Sequence, residues 1–169
     1  MHRSVTVPLI VASTALSWSM STADLAADES KPAKSPVVAV VDFSYSDTSG
    51  EVRDQRREHA ARLDAFMMAL RGDLAAHGKT VVVPSCNPAP CSPTQPPEDL
   101  LHAARGAGAG ILLVGGVHKM STLVLNAEVI AFDAATGQVV ADKVYTFRGD
   151  NDESWRRAEG FVAGDFTGI

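Results

Sequence analysis

The sequence predicts a single domain of the α/β (α+β) class, because three of its stretches have the patterns of packed strands and helices. Val37–Phe43 is a continuous apolar run, typical of a strand buried on both faces. Arg53–His77 carries apolar residues at helical spacing. Gly110–Phe147 is rich in β-branched residues and indicates a strand followed by a long hairpin. We expect two or three layers: a mixed sheet of about five strands with a C-terminal β-hairpin, packed by one long helix and two shorter ones.

Residues 1–23 have the pattern of a secretory signal peptide. Arg3 supplies a positive charge, and Val5–Trp18 is an apolar run too short to span a bilayer. Ser21-Thr22-Ala23 then offers the small residues that signal peptidase recognises. The alternative is an apolar N-terminal anchor that stays attached. The pattern favours export to the periplasm.

The predicted domain spans residues 37–169. Residues 24–36 precede it and are rich in proline, serine and charge, so we expect a disordered lead-in. A polar loop, residues 44–50, follows the first strand. The long helix then presents one apolar stripe, extended at its start by His59 and formed by Leu63, Phe66, Met67, Leu70 and Leu74. Gly78 follows this helix as a C-cap.

The only two cysteines, Cys86 and Cys91, follow a second short strand at Lys79–Pro84. In an exported chain, such a close pair most simply forms a local disulfide. The alternative is a redox or soft-metal site, although redox motifs usually place two residues between the cysteines and this chain has four. No cysteine lies near the predicted cleavage point, so we do not expect a lipid anchor.

A glycine-rich run, Gly106–Gly110, superficially resembles a phosphate-binding loop. It closes a short helix that begins near Pro96-Pro97 and leads into the strand Ile111–Val114, which is the reverse of the dinucleotide-binding order. The glycines are better explained as a helix C-cap and a tight entry into the strand. Downstream, Asp133–Gly137 is the predicted hairpin turn.

The acidic run after the hairpin has two interpretations. Asp150, Asp152 and Glu153 could bind a hard cation through oxygen atoms, although the spacing of a calcium-binding loop is absent. Alternatively, Asn151 or Asp152 caps a last helix running from Glu153 to about residue 163, with the acids in its first turn.

Two resemblances follow from these motifs. Val37–Phe43, the run from Ala103 to Gly116 and the turn Asp133–Gly137 resemble the envelope-protein domain found at the N-terminus of TolB and in the curli secretion lipoprotein CsgG. This resemblance implies an envelope assembly or interaction module. Lys119–Asn126, Asp133–Gly137 and Arg148–Trp155 resemble a family of small secreted proteobacterial proteins without an assigned activity. This second resemblance implies a compartment but no substrate.

The remaining patterns argue against catalysis and against several partners. The histidines after the predicted signal peptide are scattered, and Ser121 lacks the Gly-x-Ser-x-Gly context of a nucleophile. The formal net charge of −5 disfavours nucleic acid and anionic membranes as partners. We therefore expect a soluble periplasmic interaction or accessory module with an envelope protein partner, no cofactor, and no membrane insertion after signal cleavage. The alternative is a periplasmic small-ligand or metal-binding protein that uses the Asp150–Glu153 loop or the cysteine loop.

Overall fold

The computed structural model describes residues 37–87 and 89–169, so the predicted signal peptide and lead-in lie outside the described residues. Six strands and three helices follow one another along this part of the chain: β1 (Val37–Val40), β2 (Ser44–Asp47), α1 (Arg56–Ala76), β3 (Thr80–Val82), α2 (Pro97–Gly106), β4 (Ile111–Lys119), β5 (Val124–Asp133), β6 (Val139–Arg148) and α3 (Asp152–Phe166). The predicted mixed α/β class, with its long helix and C-terminal hairpin, is confirmed. No described helix is both long enough and apolar enough to cross a membrane.

The strands form one mixed sheet in the order β3-β1-β4-β5-β6. The parallel half arises because α1 returns the chain from β2 to β3, and α2 returns it from β3 to β4. The antiparallel half is β4, β5 and β6, connected by short turns. β1 pairs with the first part of β4 and β2 with its last part, so β2 prolongs β1 along the same side of β4.

The two faces of the sheet are covered unequally. α1 and α3 lie on one face, over the main core that contains Leu113, Val117 and the inward residues of β5. The residues of β5 alternate between the two faces, and Leu125, Ala127, Val129 and Ala131 are all buried on the face that α1 and α3 cover. The second face carries a smaller core under α2 and the cysteine loop. The outer part of β5 and β6 remains open on that face, and this opening is a candidate binding surface.

Gly115 allows the close packing at the centre of the sheet. A Cβ atom at this position would lie 2.5 Å from a backbone oxygen of β5 and 2.8 Å from the ring of Phe43. The ring therefore occupies the space that a side chain would need, and only glycine fits.

β2 is the element that the sequence does not predict. Its residues, Ser44-Tyr-Ser-Asp47, were expected within a polar loop, yet they pair with β4. Most of these residues are polar and exposed, so the sequence here lacks the apolar alternation that would indicate a strand. The hydrogen bonds offered by the adjacent edge of β4 determine the conformation of this segment instead.

Candidate functional site

A buried cluster of charged side chains lies where β2, β4 and β6 end and where α1 and α3 begin. These three strands run parallel to one another, so their carboxyl ends meet at one edge of the sheet. The N-termini of the two helices face the same edge. Such an edge is where α/β proteins commonly place functional groups.

Asp150 is the centre of this ion cluster. Its Oδ2 atom accepts hydrogen bonds from Lys119 Nζ at 2.7 Å and from His59 Nε2 at 2.8 Å. Its Oδ1 atom accepts from Arg62 Nη1 at 2.9 Å and from Trp155 Nε1 at 3.3 Å. Burial opposes the charged carboxylate, but the hydrogen bonds from Lys119 and His59 outweigh it and lower the pKa of Asp150. The aspartate is therefore ionised and fully engaged.

Lys119 is the principal cation and is completely buried. Its ammonium group donates to Asp150, to Gln55 Oε1 at 2.6 Å and to Glu51 Oε2, so three donors meet three acceptors. Burial favours the neutral amine, but the hydrogen bonds to Asp150 and Glu51 prevail and raise the pKa of Lys119. The charge is thus buried and compensated.

His59 extends the cluster toward β2. Its ring stacks on Tyr45 with centroids 4.6 Å apart. When Nε2 carries the proton donated to Asp150, Nδ1 accepts from the Tyr45 hydroxyl, which lies 2.9 Å away. Burial, followed by the charges of Asp47 and Asp150, raises the pKa of Tyr45, so its hydroxyl stays protonated. These contacts join α1, α3 and the sheet, and the polar side chains of Tyr45, His59 and Asp150 hydrogen-bond to one another.

The predicted metal residues are engaged by basic side chains, and Arg62 contacts both Asp150 and Asp152. Asp150 lies in the ion cluster, whereas the Asp152 carboxylate is 90% exposed and contacts Arg62 Nε at 2.8 Å. Glu153 faces Arg156 and Arg157 on its own helix. Within residues 37–87 and 89–169, no three His, Cys, Asp or Glu side chains are grouped to hold a metal ion. Metal binding by this loop stays a prediction, and a cation would have to displace the basic partners of its carboxylates.

The capping interpretation of the acidic run describes what this segment does in the fold. The Asn151 side chain accepts a hydrogen bond from the backbone N–H of Ser154 at 3.0 Å, and α3 begins at Asp152. Asp152 and Glu153 occupy the first turn, where carboxylates interact favourably with the helix dipole. Of the two predicted candidates, Asn151 and Asp152, Asn151 is therefore the residue that caps α3.

The cysteine loop folds against the smaller core. The sulfur atoms of Cys86 and Cys91 are 2.04 Å apart, at bonding distance, and Cys91 is buried beside α2. Among the described residues, no cysteine is free. The oxidation state of the pair in the cell, and with it the choice between a structural and a redox role, stays a prediction.

The open part of the sheet forms a second candidate surface. A depression of about 510 Å³ lies over β2, β4, β5 and β6, and its polar lining residues are Ser44, Ser46, His118, Asn126 and Glu128. His118 lies within β4, and its Nε2 is 2.7 Å from Thr48 Oγ1. Thr146 Oγ1 donates to Asn126 Oδ1 at 2.8 Å. This surface combines hydrogen-bonding groups with exposed apolar residues.

β6 borders the open face and forms one edge of the sheet. Among the described strands, β6 pairs only with β5. The backbone groups on the outer edge of this ten-residue strand therefore have no partner among the described strands. Val139, Val140 and Val144 are each about half exposed. A long, valine-rich edge strand is the usual place where a second chain adds to a sheet.

Sequence reasoning missed most of the ion cluster. His59 was expected on the apolar stripe of the long helix and Asp150 in the acidic run, but no role in a cluster was predicted for Lys119, Glu51, Gln55 or Arg62. The available signal was the position of Lys119 at the carboxyl end of a buried strand, the edge where helix N-termini and their acidic residues gather. Its acceptors lie 31, 64 and 68 residues away in the sequence.

Comparison with solved structures supports the fold. The PelC dodecamer from Paraburkholderia phytofirmans is 18% identical, with a TM-score of 0.50, over 79% of this chain and 86% of that chain. The lipoprotein GNA1162 from Neisseria meningitidis is 14% identical, with a TM-score of 0.48, over 79% and 94% of the two chains. TolB from Acinetobacter baumannii is 15% identical, with a TM-score of 0.45, over 76% of this chain but 26% of its own.

These likenesses concern the fold alone, and the predicted resemblance to the TolB domain is supported only in part. The comparison with curated proteins gives no match. The family profile DUF3280, whose description reads "Protein of unknown function (DUF2380)", matches residues 36–165, which is most of the chain. The chain therefore belongs to this family, DUF3280.

Proposed function

We propose that the protein is a non-catalytic interaction module of the bacterial envelope. In this proposal residues 1–23 direct export to the periplasm, and the domain of residues 37–169 binds another envelope protein. The observation that carries the proposal is the β6 edge beside the open face of the sheet. Its outward-facing backbone groups have no strand partner within residues 37–87 and 89–169 and offer hydrogen bonds to an added strand, and the adjacent valines offer apolar contact.

The ion cluster supports the absence of catalysis. Each of its central groups has a protein partner: Lys119 has three acceptors, and Asp150 has four donors. A catalytic acid or base needs a substrate within hydrogen-bond reach, and these buried groups use their capacity on each other. The cluster is better explained as the contact that holds α1 and α3 on the sheet.

The PelC structure offers a parallel for assembly through this fold, since it is described as a dodecamer. For this chain, a second copy is one partner that could occupy the β6 edge. We favour a different envelope protein, because the open face beside β6 is polar as well as apolar, as in transient interfaces.

Site-specific photo-cross-linking in living cells tests the proposal. A photo-cross-linking amino acid replaces Val144 on β6 or Val52, which is fully exposed in the loop before α1. We expect one envelope protein cross-linked from position 144 and none from position 52. Val144→Lys should abolish that product when the cross-linker stands at Val140, whereas Val52→Lys should retain it, because a lysine on an edge strand disfavours strand addition. Equal products from positions 144 and 52, or none from both, would refute the proposal.

A further inference from the structure

A groove separates α1 from α3 on the side of the molecule opposite the open sheet face. It has a volume of about 410 Å³. Ala61, Ala65 and Ala69 line its α1 side at four-residue intervals, and Phe66 and Trp155 form its floor. The small alanine side chains leave the groove unfilled, and its interior is largely apolar.

Glu159 of α3 also lines this groove and differs from the other buried acids. It is only 3% exposed, and its buried Oε1 atom has no hydrogen-bond partner among the described residues. Asp150, by comparison, accepts from four donors. Burial and the nearby charge of Asp73 raise the pKa of Glu159 to about 7, while Arg156 opposes them. Buried polar atoms are nearly always paired, so a carboxyl group that lines a groove and has an oxygen without a partner among the described residues calls for a donor.

The resident cations near the groove are engaged elsewhere. Arg62 binds Asp150 and Asp152. Arg156 is mostly exposed, and its closest carboxylate is Glu153, at 3.4 Å. Among the acids that line the groove, Glu58 pairs with Arg53 and Asp152 with Arg62, which leaves Glu159 with capacity for an external cation. Asp73, close to Glu159, adds negative charge near this carboxyl group.

We propose that this groove binds an organic ammonium group carried on an apolar stem, with the ammonium donating to Glu159 and the stem lying on the alanines and aromatic rings. An ammonium group has only donors and a carboxylate only acceptors, so the two are complementary. The apolar lining disfavours a bare, hydrated inorganic cation. This site is independent of the β6 edge and does not rest on the proposed interaction function.

Isothermal titration calorimetry of the purified protein with n-hexylamine tests the site. We expect saturable one-site binding at pH 7 and no comparable binding of hexan-1-ol, which has the stem without the charge. Glu159→Gln keeps the side-chain size and should weaken binding about tenfold or more, because the charge-assisted hydrogen bond is lost. Glu98→Gln makes the same chemical change on the exposed surface of α2 and should leave the affinity within about twofold.

The protonation of Glu159 supplies a second readout. Binding selects the carboxylate, so affinity should rise between pH 6 and pH 8. At pH 7 about half a proton should leave the protein for each amine bound, detected as a dependence of the measured heat on the ionisation enthalpy of the buffer. Both effects should disappear in Glu159→Gln.

A second probe, Nα-acetyl-lysine methylamide, distinguishes between two sources of the ammonium group, a protein lysine and a free amine. Glu159-dependent binding of this probe would indicate the lysine side chain of a protein partner, whereas binding of hexylamine alone would indicate a free amine; both results support the site. Equal affinities in wild type and Glu159→Gln, equal binding of hexan-1-ol, or no saturable binding of either amine would overturn the proposal. Far-UV circular dichroism of each variant verifies that it is folded.

Discussion

Replacing Asp150 by asparagine should destabilise the protein far more than the same change at Asp152. Asp150 is 7% exposed and accepts four hydrogen bonds between 2.7 and 3.3 Å, whereas the Asp152 carboxylate is 90% exposed. Asp150→Asn preserves the side-chain shape but removes the charge and turns one acceptor atom into a donor. That donor would face Lys119 or Arg62, both of which also donate.

The magnitude follows from the partners left behind. Removing one member of a buried ion pair costs ~3–5 kcal/mol, because the other charge remains desolvated. Lys119 keeps Glu51 and Gln55 as acceptors, so we expect the lower end, ~3 kcal/mol, for Asp150→Asn. Asp152→Asn removes an exposed contact with Arg62 and a first-turn carboxylate, which together account for ~1 kcal/mol or less.

Urea unfolding at pH 7, followed by far-UV circular dichroism, measures the difference. With a denaturant dependence of ~1–3 kcal/mol per molar urea, Asp150→Asn should lower the unfolding midpoint by roughly 1–3 M. The pKa of Asp150 is lowered from its ordinary value of 3.8, so its contribution is present above about pH 4 and disappears as the pH falls further. The gap between wild type and Asp150→Asn should therefore close in acid. Free energies of unfolding within 1 kcal/mol of each other for the two variants at pH 7 would show that the ion cluster does not stabilise the fold as argued.

Three further predictions concern other parts of the fold. The pKa of Glu159 is raised from 4.5 to about 7, so the folded state loses stability as the pH rises through that interval. Allowing for partial hydration of the carboxyl group, Glu159→Gln should be ~2 kcal/mol more stable than wild type at pH 8 and equal to it at pH 4. Thermal melts of the two proteins that depend on pH in the same way would contradict this. Gly115→Ala should destabilise by ~1–3 kcal/mol, because its Cβ would lie 2.5 Å from a backbone oxygen. Gly72→Ala, on α1 with open space around it, should stabilise by ~0.5–1 kcal/mol, and similar urea midpoints for the two alanine variants would refute the packing argument. Replacing Cys86 and Cys91 by serine should lower the free energy of unfolding by ~2 kcal/mol, because the loop that the disulfide closes is short. Mass spectrometry with and without reductant verifies that the bond is present in the wild-type protein. An unchanged melting temperature in the serine variant would exclude a stabilising disulfide.

The sequence predicts those elements whose signal is local and apolar. The stripe from Leu63 to Leu74 places the buried face of α1, and the alternation from Leu125 to Ala131 places the buried face of β5. The turn around Gly137 joins the hairpin as expected, with the glycine at φ +72°. In each case residues close in the sequence share one environment, so periodicity reports it directly.

The fold class also follows from local patterns, although the predicted long helix was three residues too long at its start and one at its end. The loop before α1 explains the difference at the start. Glu51 and Gln55 turn inward to reach Lys119, which keeps this segment out of the helix. Helix ends are set by such specific contacts more than by periodicity.

Tertiary structure alone decided which distant groups the buried polar residues meet. His59 meets Asp150 across 91 residues, and Lys119 meets Gln55 across 64. A buried charge is stable only when its partner is in place, and the residues next to Lys119 or Glu159 in the sequence do not identify which distant side chains lie beside them. The apolar spacing of the chain therefore determined the class of the fold and the faces of its helices and strands. The paired Asp150 and the unpaired Glu159 arise only when distant segments meet in a water-poor interior, where hydrogen-bond partners decide the energy of a charge.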